Sequence, residues 1–165
     1  MRTLLILLFA LILGGQARAD DADAAFRSGL SAFNEGSYAR ALAVWGQLAA
    51  AGDPRAEEGI GFMYYTGRGV VRDSRQAAKY FYRAANQGEP TSQLLLAMMH
   101  FRSDGVPKSM PLALMWAELA MESGQPEAYE VSGRIRQSTT EAERAEGSRL
   151  LLRWREIYEN SQTRK

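Results

Sequence analysis

The sequence predicts an all-α protein: a short right-handed α-solenoid of stacked helix hairpins that ends in a C-terminal capping helix. Three observations lead to this prediction. A glycine–proline triplet recurs at a fixed interval, small and aromatic residues keep the same register, and a long amphipathic segment lies near the C-terminus. A period of about 36 residues is typical of arrays in which each unit is a pair of helices.

The recurring triplet is Gly-x-Pro, and each copy begins 36 residues after the previous one, at Gly52, Gly88 and Gly124. Glycine readily takes the left-handed conformation that ends a helix, and proline fits the first turn of the next helix. Asp53 is a good N-cap, whereas Glu89 and Gln125 are weaker caps. Each triplet is therefore predicted to be a corner between two helices.

Other residues keep the same register. They are Ala41, Ala77 and Ala113 at one phase, and Trp45 and Phe81 at another, with Trp116 one residue early in the third unit. Alanine and aromatic residue lie four positions apart, so they share one face of a helix. The small alanine allows a neighbouring helix to approach, and the aromatic ring fills the space between units.

These signals divide the chain into units. Repeat units are predicted at about 22–52, 54–88 and 90–124, followed by a partial unit at 126–137, a capping helix at 140–160 and a tail at 161–165. The capping helix begins with a capping box of Thr140 and Glu143. Its apolar stripe consists of Leu150, Leu151, Trp154, Ile157 and Tyr158. A terminal helix of this kind covers the last apolar face of an array.

Residues 1–19 have the features of a signal peptide. Arg2 gives a positive start, the run from Leu4 to Leu13 is apolar, and Ala17-Arg18-Ala19 is a small-x-small cleavage pattern. The apolar run is about half of the roughly 20 residues that a membrane span needs. We therefore expect cleavage between Ala19 and Asp20 and no integral membrane segment afterwards, with an uncleaved anchor as the alternative.

Composition narrows the class of partner. Loss of the two arginines in 1–19 would leave 18 basic residues against 19 acidic ones. Nucleic-acid binding needs a clustered positive field, so this balance argues against a nucleic acid. The chain has no cysteine, so an exported domain would depend on its core without disulfides.

The second unit resembles a Sel1-like repeat, the tetratricopeptide variant with a longer loop between its two helices. The matching positions are Ala56, Ile60-Gly61, Met63-Tyr64, Gly67-Arg68-Gly69-Val70, Asp73, Ala77-Ala78, Tyr80-Phe81-Tyr82, Ala84-Ala85 and Gly88. The third unit is similar but has Ser103 in place of the first loop glycine. With the predicted signal peptide, the chain is expected to be an exported bacterial member of this family, and the resemblance implies a role in envelope assembly, signalling or secretion complexes. The disulfides of cysteine-rich members are absent here.

The sequence contains no recognisable set of catalytic residues, which favours a protein that is not an enzyme. His100 is the sole histidine and falls at a core-facing phase, and without cysteine an ordinary zinc site cannot form. Gly67-Arg68-Gly69 lacks the third glycine and the preceding strand of a nucleotide-binding motif. The carboxylates are spread along predicted helices, where solvated faces are commoner than paired catalytic acids. We expect no catalytic residues, metal or cofactor.

Binding is therefore the predicted activity, on the concave face that the first helix of each pair lines. Tetratricopeptide phasing predicts these groove residues: Glu58, Phe62, Tyr65, Leu94, Met98, Phe101, Arg102, Glu130 and Arg134. Aromatic and arginine side chains are frequent hot spots of interfaces. Two alternatives stay open, since these side chains would also suit packing between repeats, and the last helix could fold back into the groove.

The sequence thus predicts a periplasmic adaptor or scaffold that holds a segment of another envelope or secreted protein, with secretion as the alternative location. A second hypothesis is a regulator of a cell-envelope enzyme or of a polysaccharide or secretion machine, for which a glycan is a further candidate partner. A third, less favoured because no catalytic constellation is present, is an enzyme that acts on the cell wall.

Overall fold

The structure is a computed structural model that describes residues 20–163, so the predicted signal segment at 1–19 lies outside the described residues. Within this range the chain is all helical, which confirms the predicted α-solenoid. Eight helices follow one another: α1 (20–34), α2 (Tyr38–Ala50), α3 (Pro54–Thr66), α4 (Ser74–Ala85), α5 (Pro90–Arg102), α6 (Met110–Glu122), α7 (Pro126–Gln137) and α8 (Glu141–Gln162).

The three predicted corners between helices are confirmed. Gly52, Gly88 and Gly124 have φ angles of 86°, 97° and 76°, all in the left-handed region. Asp53 accepts hydrogen bonds from the backbone N–H groups of Arg55 and Ala56, while the side chains at the two later corners make no cap bond. The corners therefore share one backbone geometry.

The loops inside the second and third hairpins bring neighbouring units into close contact. A Cβ atom on Gly69 would lie 2.3 Å from the Cβ of Tyr38, the first residue of α2. A Cβ atom on Gly105 would lie 2.4 Å from the carbonyl carbon of Ser74, the first residue of α4. Each loop thus rests against the start of the second helix in the preceding unit. A side chain at either glycine would prevent this contact.

Ser103 occupies the position where the second unit has Gly67, and it is the one non-glycine residue of 20–163 with a positive φ, 59°. A left-handed conformation strains residues that carry a Cβ. We expect Ser103→Gly to raise the free energy of unfolding by about 0.5–1 kcal/mol and Gly67→Ser to lower it by a similar amount. Urea denaturation gives the free energy of unfolding of both variants, and an increase for Gly67→Ser would contradict this explanation.

Aromatic side chains of the second helices fill spaces that glycines of the first helices leave. The ring of Trp45 lies between Gly29 and Gly59, where added Cβ atoms would come within 2.4 and 2.8 Å of it. The ring of Phe81 lies in the same way against Gly61, at 2.7 Å. Trp45 is 3% exposed and Phe81 fully buried. The predicted register of aromatic residues therefore describes the core between units.

Helix α8 follows α7 in the chain and packs against α6. Its capping box of Thr140 and Glu143 is present as predicted. Trp154 Nε1 donates a hydrogen bond to Asn86 Oδ1 at 3.0 Å, and the Tyr158 hydroxyl donates to the backbone carbonyl of Gln87 at 3.4 Å. Ile157 departs from the predicted stripe, since 61% of it is exposed.

His100 has the structural role that its phase predicts, because it is 2% exposed and joins α5 to the following loop. Its Nδ1 lies 3.0 Å from the Pro107 carbonyl oxygen and its Nε2 lies 2.5 Å from the Tyr82 hydroxyl. A carbonyl can only accept, so Nδ1 carries the proton and Nε2 accepts from Tyr82. The geometry holds the imidazole in one neutral tautomer.

Burial lowers the pKa of His100 below its usual value. The unfolded chain therefore binds a proton near pH 6.5 that the folded chain does not, and this contribution to stability is lost as the pH falls below 6.5. The limiting slope is about 1.4 kcal/mol per pH unit. We expect His100→Gln to be less stable than the parent at about pH 7.5 and to lose less stability between about pH 7.5 and 5.5.

Urea denaturation of both chains at these pH values measures the difference. The parent chain alone would not suffice, because burial raises the pKa of Glu57 and Glu58, and those groups act in the opposite direction. Parallel pH profiles for the two chains would contradict the assignment to His100.

Candidate functional site

The first helix of each successive unit lies on the inner face of the solenoid, called the groove below, and these helices are α1, α3, α5 and α7. Two hollows open along it. Both are lined mainly by carbon atoms, and arginine side chains stand at their edges. Helix α8 packs on α6 and does not enter either hollow, so the alternative in which the last helix fills the groove is wrong.

The first hollow, called the α1–α3 hollow, has a volume of about 200 Å³. It is lined by Phe26, Leu30, Phe33, Asn34, Trp45, Arg55, Glu58, Gly59, Phe62, Thr91 and Leu95. Leu30 is one of the exposed large apolar side chains, at 41%. The hollow therefore offers an apolar surface of the kind that receives a side chain from a partner.

Aromatic contacts fix the walls of this hollow. The ring of Phe33 makes edge contacts with Phe62 at 6.1 Å between centroids and lies 5.6 Å from Trp45. Phe26 stacks on Trp45 at 5.9 Å. Since Trp45 is clamped between two glycines, the rings that rest on it have defined positions. The hollow is therefore formed before any partner binds, which reduces the entropy lost on binding.

Glu58 lies at the side of the α1–α3 hollow that faces α5. Its Oε2 atom accepts hydrogen bonds from the Ser92 backbone N–H at 3.1 Å and from the Ser92 hydroxyl at 2.9 Å. Burial raises the pKa of Glu58, whereas these hydrogen bonds lower it. The carboxylate thus connects the second and third units at the start of α5, so it is structural as well as a wall of the hollow.

The second hollow, called the α5–α7 hollow, is smaller, about 40 Å³. Its lining residues are Met98, Phe101, Arg102, Val131, Arg134 and Ile135. Arg134 forms a 2.5 Å ion pair with Glu130 four residues earlier, and both side chains are largely exposed.

The predicted groove positions thus separate into two groups, one at each hollow. Glu58 and Phe62 line the α1–α3 hollow. The residues that line the α5–α7 hollow are Met98, Phe101, Arg102 and Arg134.

Three predicted groove residues lie elsewhere. Tyr65 makes an edge contact with Phe81 at 6.2 Å, and the guanidinium of Arg72 lies 6.0 Å from its ring. Leu94 is 9% exposed and packs with Ala120 and Ala128, so it connects α5, α6 and α7. Glu130 contributes through its ion pair with Arg134 and does not line a hollow.

The phasing missed the α1 side chains Phe26, Leu30 and Phe33. The loop between the two helices of the first unit is shorter than in the later units, so counting back 36 residues from α3 does not give the equivalent positions of α1. A signal was nevertheless present, since Gly29 lies 32 residues before Gly61 and both glycines receive an aromatic ring of the following helix. When Gly29 is aligned with Gly61, Leu30 takes the position that Phe62 has in the second unit.

A third hollow, of about 420 Å³, lies outside the groove between α8, the end of α6 and the corner at Gly88. Among residues 20–163, no three His, Cys, Asp or Glu side chains are grouped closely enough to hold a metal ion. No helix in that range has the length and apolar character to span a membrane.

Comparison with known proteins identifies the repeats. The family model described as "Sel1 repeat" matches residues 54–89 and 90–125, which are the second and third hairpins. Two proteins of Arabidopsis thaliana are similar to this chain: the ERAD-associated E3 ubiquitin-protein ligase components HRD3B, 34% identical over 84 residues, and HRD3A, 35% identical over 86 residues. These matches cover 51% and 52% of this chain but 14% and 13% of the plant proteins.

Two solved structures have the same fold. One is c5321, a protective antigen of uropathogenic Escherichia coli with an SLR fold, with a TM-score of 0.76 at 23% identity over 90% of this chain and 34% of that one. The other is a Sel1 repeat protein from Oxalobacter formigenes, with a TM-score of 0.63 at 25% identity over 67% of this chain and 45% of that one. Proteins built from such repeats act as scaffolds for protein interactions. The chain therefore contains two Sel1 repeats, at residues 54–89 and 90–125.

Proposed function

We propose that the chain is an exported adaptor that binds a segment of another envelope or secreted protein in its groove. The observation that carries the proposal is the α1–α3 hollow, where the exposed side chain of Leu30 lies among aromatic rings of α1 and α3. A partly exposed leucine inside an aromatic hollow is costly to leave in water and favourable to cover. A helix or an extended segment would fit such a surface.

The similar proteins support the adaptor role without naming a partner. The names of the plant relatives describe components of a ubiquitin-protein ligase, hence members of an assembly. Export is supported by the apolar run and cleavage pattern of residues 1–19. The periplasm is the proposed location.

Photo-crosslinking in living cells tests the proposal. A photoreactive residue placed at Leu30 or at Arg102 should trap the same partner protein, and fractionation should recover the adduct with periplasmic proteins. The matched control is Lys79, an exposed residue of α4 outside both hollows. Equal trapping from Lys79 would contradict binding in the groove, and adducts with glycan strands alone would favour the regulator of a polysaccharide machine.

A further inference from the structure

We propose that the segment bound in the α1–α3 hollow carries an apolar side chain, which contacts Leu30, and a nearby carboxylate, which pairs with Arg68. This inference rests on the proposed function and specifies the chemistry of the partner. It follows from the charges at the edge of the hollow, where two arginines stack on the aromatic walls and one of them has no acidic partner among residues 20–163.

Arg55 is the arginine whose charge is already compensated. Its guanidinium lies 4.8 Å from the ring centroid of Phe26. It pairs with Asp23 at 2.5 Å and with Asp53 at 2.8 Å, and these hydrogen bonds raise its pKa. Two carboxylates therefore satisfy this guanidinium within the chain, and a partner would gain little by offering a third.

Arg68 is the arginine without such a partner. Its guanidinium lies 5.5 Å from the ring centroid of Phe33 and 5.8 Å from that of Phe62. No Asp or Glu oxygen of the described residues comes within ion-pair distance of it. The charge is thus held at the aromatic wall by cation–π contact alone, and it stays available to a carboxylate of the partner.

The backbone also holds Arg68 in place. Its N–H donates to the Met63 carbonyl at 3.0 Å, and the glycines on both sides, Gly67 and Gly69, have φ angles of 73° and 75°. Gly69 in turn rests against Tyr38 of the preceding unit. A side chain that is positioned before binding loses less entropy when it forms an ion pair.

A cationic partner side chain would find no comparable site in this hollow. The carboxylates of Asp23 and Asp53 are engaged by Arg55, and Glu58 already accepts two hydrogen bonds from Ser92. Charge complementarity therefore favours an acidic partner. An extended chain advances about 3.3 Å per residue. The guanidinium is within about 6 Å of rings that line the hollow, so we expect the carboxylate within about three residues of the apolar side chain.

Selection from a phage library of random dodecapeptides on the chain purified in its exported form tests the inference. The enriched peptides should pair a large apolar side chain with Asp or Glu at a short, constant spacing. Arg68→Ala should weaken the best peptide about tenfold, and Arg68→Glu should weaken it further. A peptide whose acid is replaced by lysine should recover binding to the Arg68→Glu chain, which a purely structural role of Arg68 would not produce.

Arg75 provides the matched control, because it is an exposed arginine of α4 outside both hollows, and Arg75→Glu should leave peptide affinity unchanged. Thermal midpoints verify that each variant is folded. Peptides that need Leu30 but carry no acid, or that ignore Arg68→Ala, would overturn this inference and leave the adaptor proposal intact. Peptides that bind equally well after Leu30→Glu would instead contradict the proposed function.

Discussion

Replacing Gly105 with alanine should lower the free energy of unfolding by about 3 kcal/mol or more. Gly105 has a φ of 72°, and an added Cβ would lie 2.4 Å from the carbonyl carbon and 2.5 Å from the carbonyl oxygen of Ser74. Those are backbone atoms at the start of α4, so no side-chain rotation can relieve the overlap. The loop would have to leave the preceding unit, and the contact between the second and third hairpins would open.

Gly124→Ala is the matched control for this prediction. Gly124 has nearly the same φ, 76°, but, apart from Gly124 itself and its two chain neighbours, no described residue has an atom within 4 Å of the position that an alanine Cβ would take there. This variant therefore reports the cost of the left-handed conformation alone, about 1 kcal/mol. Urea denaturation of both variants gives the difference. Equal losses of stability would show that the loop does not depend on close approach to α4.

The fold was predictable because its signals are local and repeated. Gly52, Gly88 and Gly124 each end a helix by their own backbone preference, and the register of Trp45 and Phe81 follows from the spacing of one helix turn. The capping box at Thr140 is likewise a four-residue pattern. None of these signals requires knowledge of which helices touch, so counting along the sequence was enough.

The groove was less predictable because its shape depends on contacts between units. Leu94 has the phase of Glu58, yet it packs against Ala120 and Ala128 because α7 follows the third unit. Leu30 was missed because the first unit has a shorter loop than the others. Arg68 lies in the predicted loop of the second unit, and its position over the aromatic rings of the α1–α3 hollow depends on how α1 and α3 pack together.

Leu30→Glu should weaken binding of a partner segment about 100-fold while changing the free energy of unfolding by about 1 kcal/mol or less. The side chain is 41% exposed at the mouth of the α1–α3 hollow, and glutamate forms helices nearly as well as leucine. A carboxylate there would stay hydrated and oppose entry of an apolar side chain. It would also repel the carboxylate that we propose for the bound segment.

Leu152→Glu is the matched control, because Leu152 is 64% exposed on α8 and lines none of the three hollows. The two variants make the same chemical change on different faces of the solenoid, so a general effect of added charge or lost apolar surface would appear in both. Calorimetric titration with the best selected peptide gives the affinities, and urea denaturation gives the stabilities. If Leu152→Glu reduced the affinity as much as Leu30→Glu, the binding surface would have to include α8. That result would contradict the proposal that the partner binds in the groove.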